Sequence, residues 1–165
     1  MSQQIALTRC REIDCEDGFS EAVPPLLKRL LMQRGISSDA EIKHELSELA
    51  DPFLMLGMDA AISRLLQALE SQQKIIIVGD FDADGATSTA LLQLVLQRLG
   101  FKQVSFMVPN RFEYGYGLSE AIVDELILQQ PDLLITVDNG ISSIAGVAKA
   151  NAQGIDVIVT DHHLP

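Results

Sequence analysis

The chain has 165 residues, of which 47% are hydrophobic and 5% aromatic, with no tryptophan and a formal net charge of -11. That length and apolar share suit one compact domain, or one domain with a helical preface. The acidity and the scarcity of aromatics argue against a self-sufficient nucleic-acid binder built on a basic surface or a stacking platform, although they leave a local site open.

Residues 1 to 22 are polar and irregular in pattern. They hold both cysteines, Cys10 and Cys15, which make neither a four-ligand zinc site nor a disulfide framework and are expected to be free thiols in a reducing compartment. The opening Met1-Ser2-Gln3-Gln4-Ile5 lacks the basic and apolar regions of a signal peptide. No apolar run approaches the roughly 20 residues that span a bilayer. A cytoplasmic protein is expected.

Pro24-Pro25 then leads Leu26, Leu27, Leu30 and Leu31, a pattern that predicts a short helix stopped near Gly35. Ser38 and Glu41 have capping-box spacing and predict a second helix to about Leu49, broken by Asp51-Pro52. A third is predicted over Asp59 to Gln72, with Ala60, Ala61, Leu65, Leu66 and Leu69 on its apolar side. Residues 1–72 therefore read as a helical preface, and 73–165 as a separate domain.

From Lys74 the pattern changes. β-Branched runs at 74–79, 104–108, 133–137 and 157–160 alternate with helical stretches at 87–99, 119–130 and 142–153. Gly100 and Gly154 fall where helices should stop. Such alternation is the rhythm of βαβ units, and continuously apolar strands imply a sheet covered on both faces. The fold class is α/β, a parallel sheet flanked by helices.

Ligands of open parallel sheets bind beyond the carboxyl ends of the strands. There this sequence places Asp80, Asp82 and Asp84 after the first strand, Asn110 and Arg111 after the second, Asp138 after the third, and Asp161-His162-His163 after the fourth. In an extended segment the i, i+2, i+4 spacing of Asp80, Asp82 and Asp84 points three carboxylates the same way. Their mutual repulsion is relieved by a bound dication. Each piece has an ordinary reading: Asp138 as a helix N-cap, the aspartate trio as a calcium-type loop, the histidines as a solvated or core pair, and Arg111 as the partner of Glu113. Three coincidences on one rim outweigh these. Oxygen-rich donors with some imidazole suit manganese or magnesium, and the carboxylates are numerous enough to bridge two ions. Arg111 could hold a phosphate as a fork, with help from Asn110.

Val78-Gly79-Asp80-Phe81-Asp82-Ala83-Asp84-Gly85, Val137-Asp138-Asn139-Gly140 and Asp161-His162-His163, in that order, resemble the DHH phosphoesterase superfamily. The rim segment Pro109-Asn110-Arg111-Phe112 through Gly115-Tyr116-Gly117-Leu118 is similar to that of its single-stranded-DNA-specific exonucleases. The resemblance implies 5′-to-3′ degradation of single-stranded DNA in recombination and repair, with manganese or magnesium. It implies Asp82, Asp84, Asp138 and His162 as metal ligands. Asp80 and His163 would complete the catalytic centre as ligands or as supports of ligands, and Arg111 would contact a phosphate. A repair helicase and a single-strand-binding protein are the implied partners. Members of this kind continue past the triplet, so the chain is expected to be an N-terminal fragment inactive alone. A superfamily member acting on small nucleotides, a non-catalytic product, and an aspartate-phosphorylated receiver-like domain are the alternatives. The triplet, and the lack of a lysine after the last strand, disfavour the receiver.

Overall fold

The computed structural model describes residues 18 to 43 and 45 to 164. Expectations for Cys10, Cys15 and most of the first segment lie outside the described residues. By contacts the chain divides into two compact units, Met1–Leu54 and Met55–Pro165. No helix among the described residues is long and apolar enough to cross a membrane.

In the first unit, helix α1 (Pro25–Met32) starts on the expected prolines. The second predicted helix is replaced by two 3₁₀ turns, Asp39–Ile42 and Leu46–Glu48. The Glu41 carboxylate collects the Ser37 amide and the hydroxyls of Ser37 and Ser38, closing a network over a single turn. Leu46 and Leu49 stay 87% and 74% exposed, so this stretch gains none of the burial on which a short helix depends.

The second unit is the α/β layer. Strands β1 (Ile75–Val78), β2 (Val104–Met107), β3 (Leu133–Val137) and β4 (Asp156–Thr160) form one sheet in the order β2-β1-β3-β4. Every pairing is parallel, with Ile75 beside Val104 and Leu133, and Leu133 beside Asp156. The two central strands are buried along their whole length, whereas β2 and β4 are edges and partly exposed. This accounts for the uninterrupted Ile75-Ile76-Ile77-Val78 and Leu133-Leu134-Ile135-Thr136-Val137 runs, since a central parallel strand has no solvent face.

Alternate residues of those strands fill two cores. Ile75, Ile77, Leu133, Ile135 and Val137 pack with Ala68 of helix α2 (Met58–Glu70), Leu96 of helix α3 (Ala83–Arg98) and Phe101. Leu65 and Leu69 of α2 join this core, while Leu66 is 55% exposed. Arg64 fastens α2 to the sheet, donating to Asp156 Oδ2 at 2.6 Å and Gln73 Oε1 at 2.7 Å. On the opposite face Ile76, Val78 and Leu134 meet Leu118 and helix α5 (Glu120–Ile127), together with Ala150 of helix α6 (Ile144–Ala152). Ser119 caps α5, accepting from the Ile122 amide.

Helix α6 reaches this face through Gly146. A Cβ there would lie 1.9 Å from the Leu118 carbonyl oxygen, a backbone atom that cannot swing aside. Gly146→Ala is therefore expected to destabilise the fold by about 2–3 kcal/mol, the range of an overpacked core. Urea unfolding followed by circular dichroism checks this.

Candidate metal centre

The chain leaves β1 for β2 on one side and returns to β3 on the other. The carboxyl ends of β1 and β3 are thus the switch point of the sheet, where a crevice forms. Asp80 follows β1 and Asp138 follows β3, each with only 8% of its surface exposed. Asn139 ties these ends together, its Nδ2 donating to the carbonyls of Val78 (3.0 Å) and Val137 (2.9 Å). Asp138 itself has φ 62°, a left-handed conformation that aspartate tolerates better than most residues. Its amide donates to the Thr160 carbonyl at 3.0 Å, which brings the turn against the end of β4.

Two groups of donors result, and Asp138 belongs to both. Asp80, Asp82 and Asp138 place one carboxylate oxygen each within 4.8 Å of one another, and Asp138, His162 and His163 do the same with ring nitrogens. His162 Nε2 stands 2.9 Å from Asp138 Oδ1. Both Asp138 oxygens are nonetheless buried without a well-directed hydrogen bond among the described residues. Burial first, and then the neighbouring Asp82 charge, raise the Asp138 carboxyl above its ordinary pKa, while His162 and His163 pull it back only in part. A buried carboxylate with one histidine beside it and a second carboxylate facing it is what a divalent cation relieves, so the residues present fit a metal. The mixture of carboxylate and imidazole suits manganese or magnesium.

The surrounding donors are arranged by local hydrogen bonds. Asp82 caps α3 by accepting the Gly85 amide at 3.1 Å, and this bond lowers its carboxyl pKa. Burial works against ionisation of Asp161. The Ile141 and His163 amides it accepts, at 3.0 Å each, outweigh burial and keep the carboxyl below its usual range. Asp161 Oδ1 also lies 2.7 Å from His163 Nδ1, and this contact raises the histidine's pKa. With Nδ1–H directed at Asp161, the other ring nitrogen of a neutral His163 is left as the acceptor.

The rim segment adds a cation. Arg111 Nη2 donates to both Asp80 oxygens, at 3.1 and 2.9 Å, so its acidic partner is Asp80 rather than Glu113. The guanidinium lies 3.9 Å from the centre of the Phe81 ring and 5.1 Å from that of Tyr116. Asn110 caps the one-turn helix α4 (Arg111–Tyr114), accepting the Phe112 amide at 3.1 Å. Gly79, Asp80, Pro109, Arg111, Gly115, Gly117 and Asn139 line a small hollow between the two central strand ends and this segment.

The structure brings together Asp80, Asp82, Asp138, His162, His163 and Arg111. Asp84 stands apart from both donor groups, because α3 begins at Ala83 and carries Asp84 into its first turn. The extended geometry expected for the aspartate trio is absent for that reason. Asp138 is not an N-cap, since Ser143 holds that position before α6. Strand-end position reaches Asn139 and Asp161 but not their roles, the first as the tie between strands and the second as the anchor of His163, and it misses Tyr116. The nearest signal for the last was the aromatic ring set between two glycines in Gly115-Tyr116-Gly117.

Residues 74–165 match the model of the DHH family, N-terminal domain. The chain belongs to the DHH family. It is 48% identical over 165 residues to the single-stranded-DNA-specific exonuclease RecJ of Escherichia coli K12, covering all of this chain and 28% of that protein. It is 50% identical over 159 residues to RecJ of Haemophilus influenzae, covering 96% and 27%. Among solved structures, exonuclease RecJ bound to manganese superposes with a TM-score of 0.60 at 42% identity, over 66% of this chain and 28% of that one. RecJ in complex with Mn2+ from Thermus thermophilus gives 0.59 at 34% identity, over 82% and 18%. The chain thus spans about 28% of the length of such curated relatives.

A carboxyl whose pKa is raised on folding binds protons more readily in the folded chain than in the unfolded one. Stability is therefore lost as pH climbs from the ordinary value of 3.8 through the raised one. Asp138→Asn keeps the shape, suits the left-handed turn and removes the charge. It is expected to raise the thermal midpoint of the metal-free chain by a few degrees at pH 7, with the gain fading as pH falls through the raised value and gone below 3.8. Melting curves across this range with a chelator present check the sign.

Proposed function

We propose that this chain supplies the metal-binding half of a phosphodiester-hydrolysing centre that acts on single-stranded DNA from its 5′ end. The carrying observation is Asp138, a buried carboxylate without a well-directed hydrogen bond that is shared by two donor groups. Asp80, Asp82 and Asp138 would hold one divalent cation, and Asp138, His162 and His163 would hold a second. Manganese and magnesium suit these donors, and the two related structures are complexes with manganese. When bound, such ions lower the pKa of water and absorb charge that builds up on phosphoryl oxygens.

The chain's own residues do the rest. Asp138 would serve both donor groups, Asp82 is held in place by the Gly85 amide, and Asp161 fixes the tautomer of His163. Arg111 gives one guanidinium nitrogen to Asp80, which leaves its other N–H groups to take a phosphate oxygen. Asn110 contributes by shaping that segment, as its side-chain oxygen is occupied by the Phe112 amide. Asp84 sits at the start of α3, where its charge favours the helix N-terminus. Polarity, a DNA substrate and a role in recombination and repair rest on the likeness to RecJ, as does the inference that a helicase and a single-strand-binding protein work alongside.

Two measurements test this reading. Isothermal titration should show manganese binding to the purified chain. In the protein that carries this chain, Asp82→Ala and Asp138→Ala should each cut manganese-dependent release of mononucleotides from a 5′-phosphorylated single strand by roughly 100-fold or more, the scale on which even the partners of metal ligands act. The variants should keep a wild-type circular dichroism spectrum. Full activity in either removes that residue from the ligand set. Cleavage confined to dinucleotides would instead identify a family member for small nucleotides.

A further inference from the structure

Tyr116, on the rim segment, touches the donor cluster through its hydroxyl and Arg111 through its ring. Its hydroxyl donates to the Asp138 carbonyl oxygen at 3.1 Å and lies 3.1 Å from His163 Nδ1. Its ring meets the His163 ring edge-on, with centroids 5.9 Å apart and planes at 86°. The same ring lies 5.1 Å from the Arg111 guanidinium, which also sits 3.9 Å from the Phe81 ring. The flanking glycines explain how the side chain gets there. Gly115 and Gly117 take φ of 78° and 75°, a region closed to most side chains, and fold the segment back over the strand ends. Gly117 also lies so near Ser143 Oγ that a Cβ would come within 2.7 Å of it. Tyr116 is 44% exposed and belongs to neither apolar core, so packing does not account for it.

We propose that Tyr116 is a positioning residue that latches the rim segment to the donor cluster, its hydroxyl setting the Asp138 turn and the His163 ring, and its ring face setting the Arg111 guanidinium. The two tasks fall on different atoms of one side chain. The hydroxyl governs the cation half of the site, because Asp138 is the shared donor and His163 belongs to the second group. The ring governs the anion half, because a guanidinium in contact with aromatic rings is held in orientation for a planar fork on a phosphate. The inference rests on the metal and phosphate reading above for its consequence, and on hydrogen bonds and ring contacts alone for its geometry.

The test separates the two. In isotope-labelled, metal-free chain, Tyr116→Phe should shift the His163 ring nitrogen and the Asp138 and Asn139 amide resonances while leaving the Arg111 Nε–H resonance in place. Tyr116→Leu should move all of them, since the ring current over Arg111 is also lost. Titration should then show Tyr116→Phe weakening manganese binding roughly 10-fold, as loss of a ligand's supporting partner does. Inorganic phosphate, followed at Arg111 Nε–H, should bind Tyr116→Phe as it binds wild type and should bind Tyr116→Leu more weakly. A residue serving stability alone would lower the melting temperature without dividing the two ligands. Unchanged His163 and Asp138 signals in Tyr116→Phe overturn the proposal. So does an unmoved Arg111 signal in Tyr116→Leu. Tyr116→Phe keeps the side-chain volume, so the hydroxyl half is decided whatever the folding of Tyr116→Leu. Wild-type chain that binds no manganese overturns the metal reading, and the metal-free resonances still decide the latch.

Discussion

Everything at the rim of this sheet follows from carboxylates forced together where water cannot separate them. Asp80 and Asp138 are nearly inaccessible, and Asp82 joins them at a distance where repulsion is strong. The protein answers part of that repulsion internally. Arg111 neutralises Asp80, the Gly85 amide takes one oxygen of Asp82, and His162 stands beside Asp138. The remainder is left on Asp138, whose two oxygens lack a well-directed donor among the described residues. A fold selected for stability alone would place an apolar residue or an asparagine there. The retained charge is a functional signature.

The scaffold makes this concentration possible. Two strands with no solvent face, packed on both sides by helices, end at the switch point and deliver Asp80 and Asp138 to adjacent positions. The left-handed backbone of Asp138 and the cap formed by Asp82 are local events, each decided within a few residues. Neither needs the ion. The geometry of the crevice is therefore a property of the chain, and a metal would meet donors that are already close.

The sheet and the rim were legible because they obey strong rules. Apolar β-branched runs such as 75–78 and 133–137 can hardly be anything other than buried strands, and strand ends of a parallel sheet share one edge. The DHH family was legible in three short motifs, and a family model matches the same region. Less legible was anything decided by a helix boundary or a reach through space. Treating 80–84 as extended placed Asp84 with Asp80 and Asp82, whereas α3 starts at Ala83 and turns it away. The capping-box spacing at Ser38 and Glu41 was real as a set of hydrogen bonds, yet without apolar cover it produced only 3₁₀ turns. Tyr116 gave no periodic signal, because its importance lies in which distant groups its hydroxyl and ring touch.

The amide of Asn139, stretched between the last carbonyls of two neighbouring strands, has one more implication. It sets the width of the crevice by main-chain atoms, independently of what enters. Cations that enter would meet carboxylate and imidazole side chains mounted on that fixed frame. Choice between them would fall to the chemical character of the donors, oxygen against nitrogen, and to how readily each ion sheds its hydration shell.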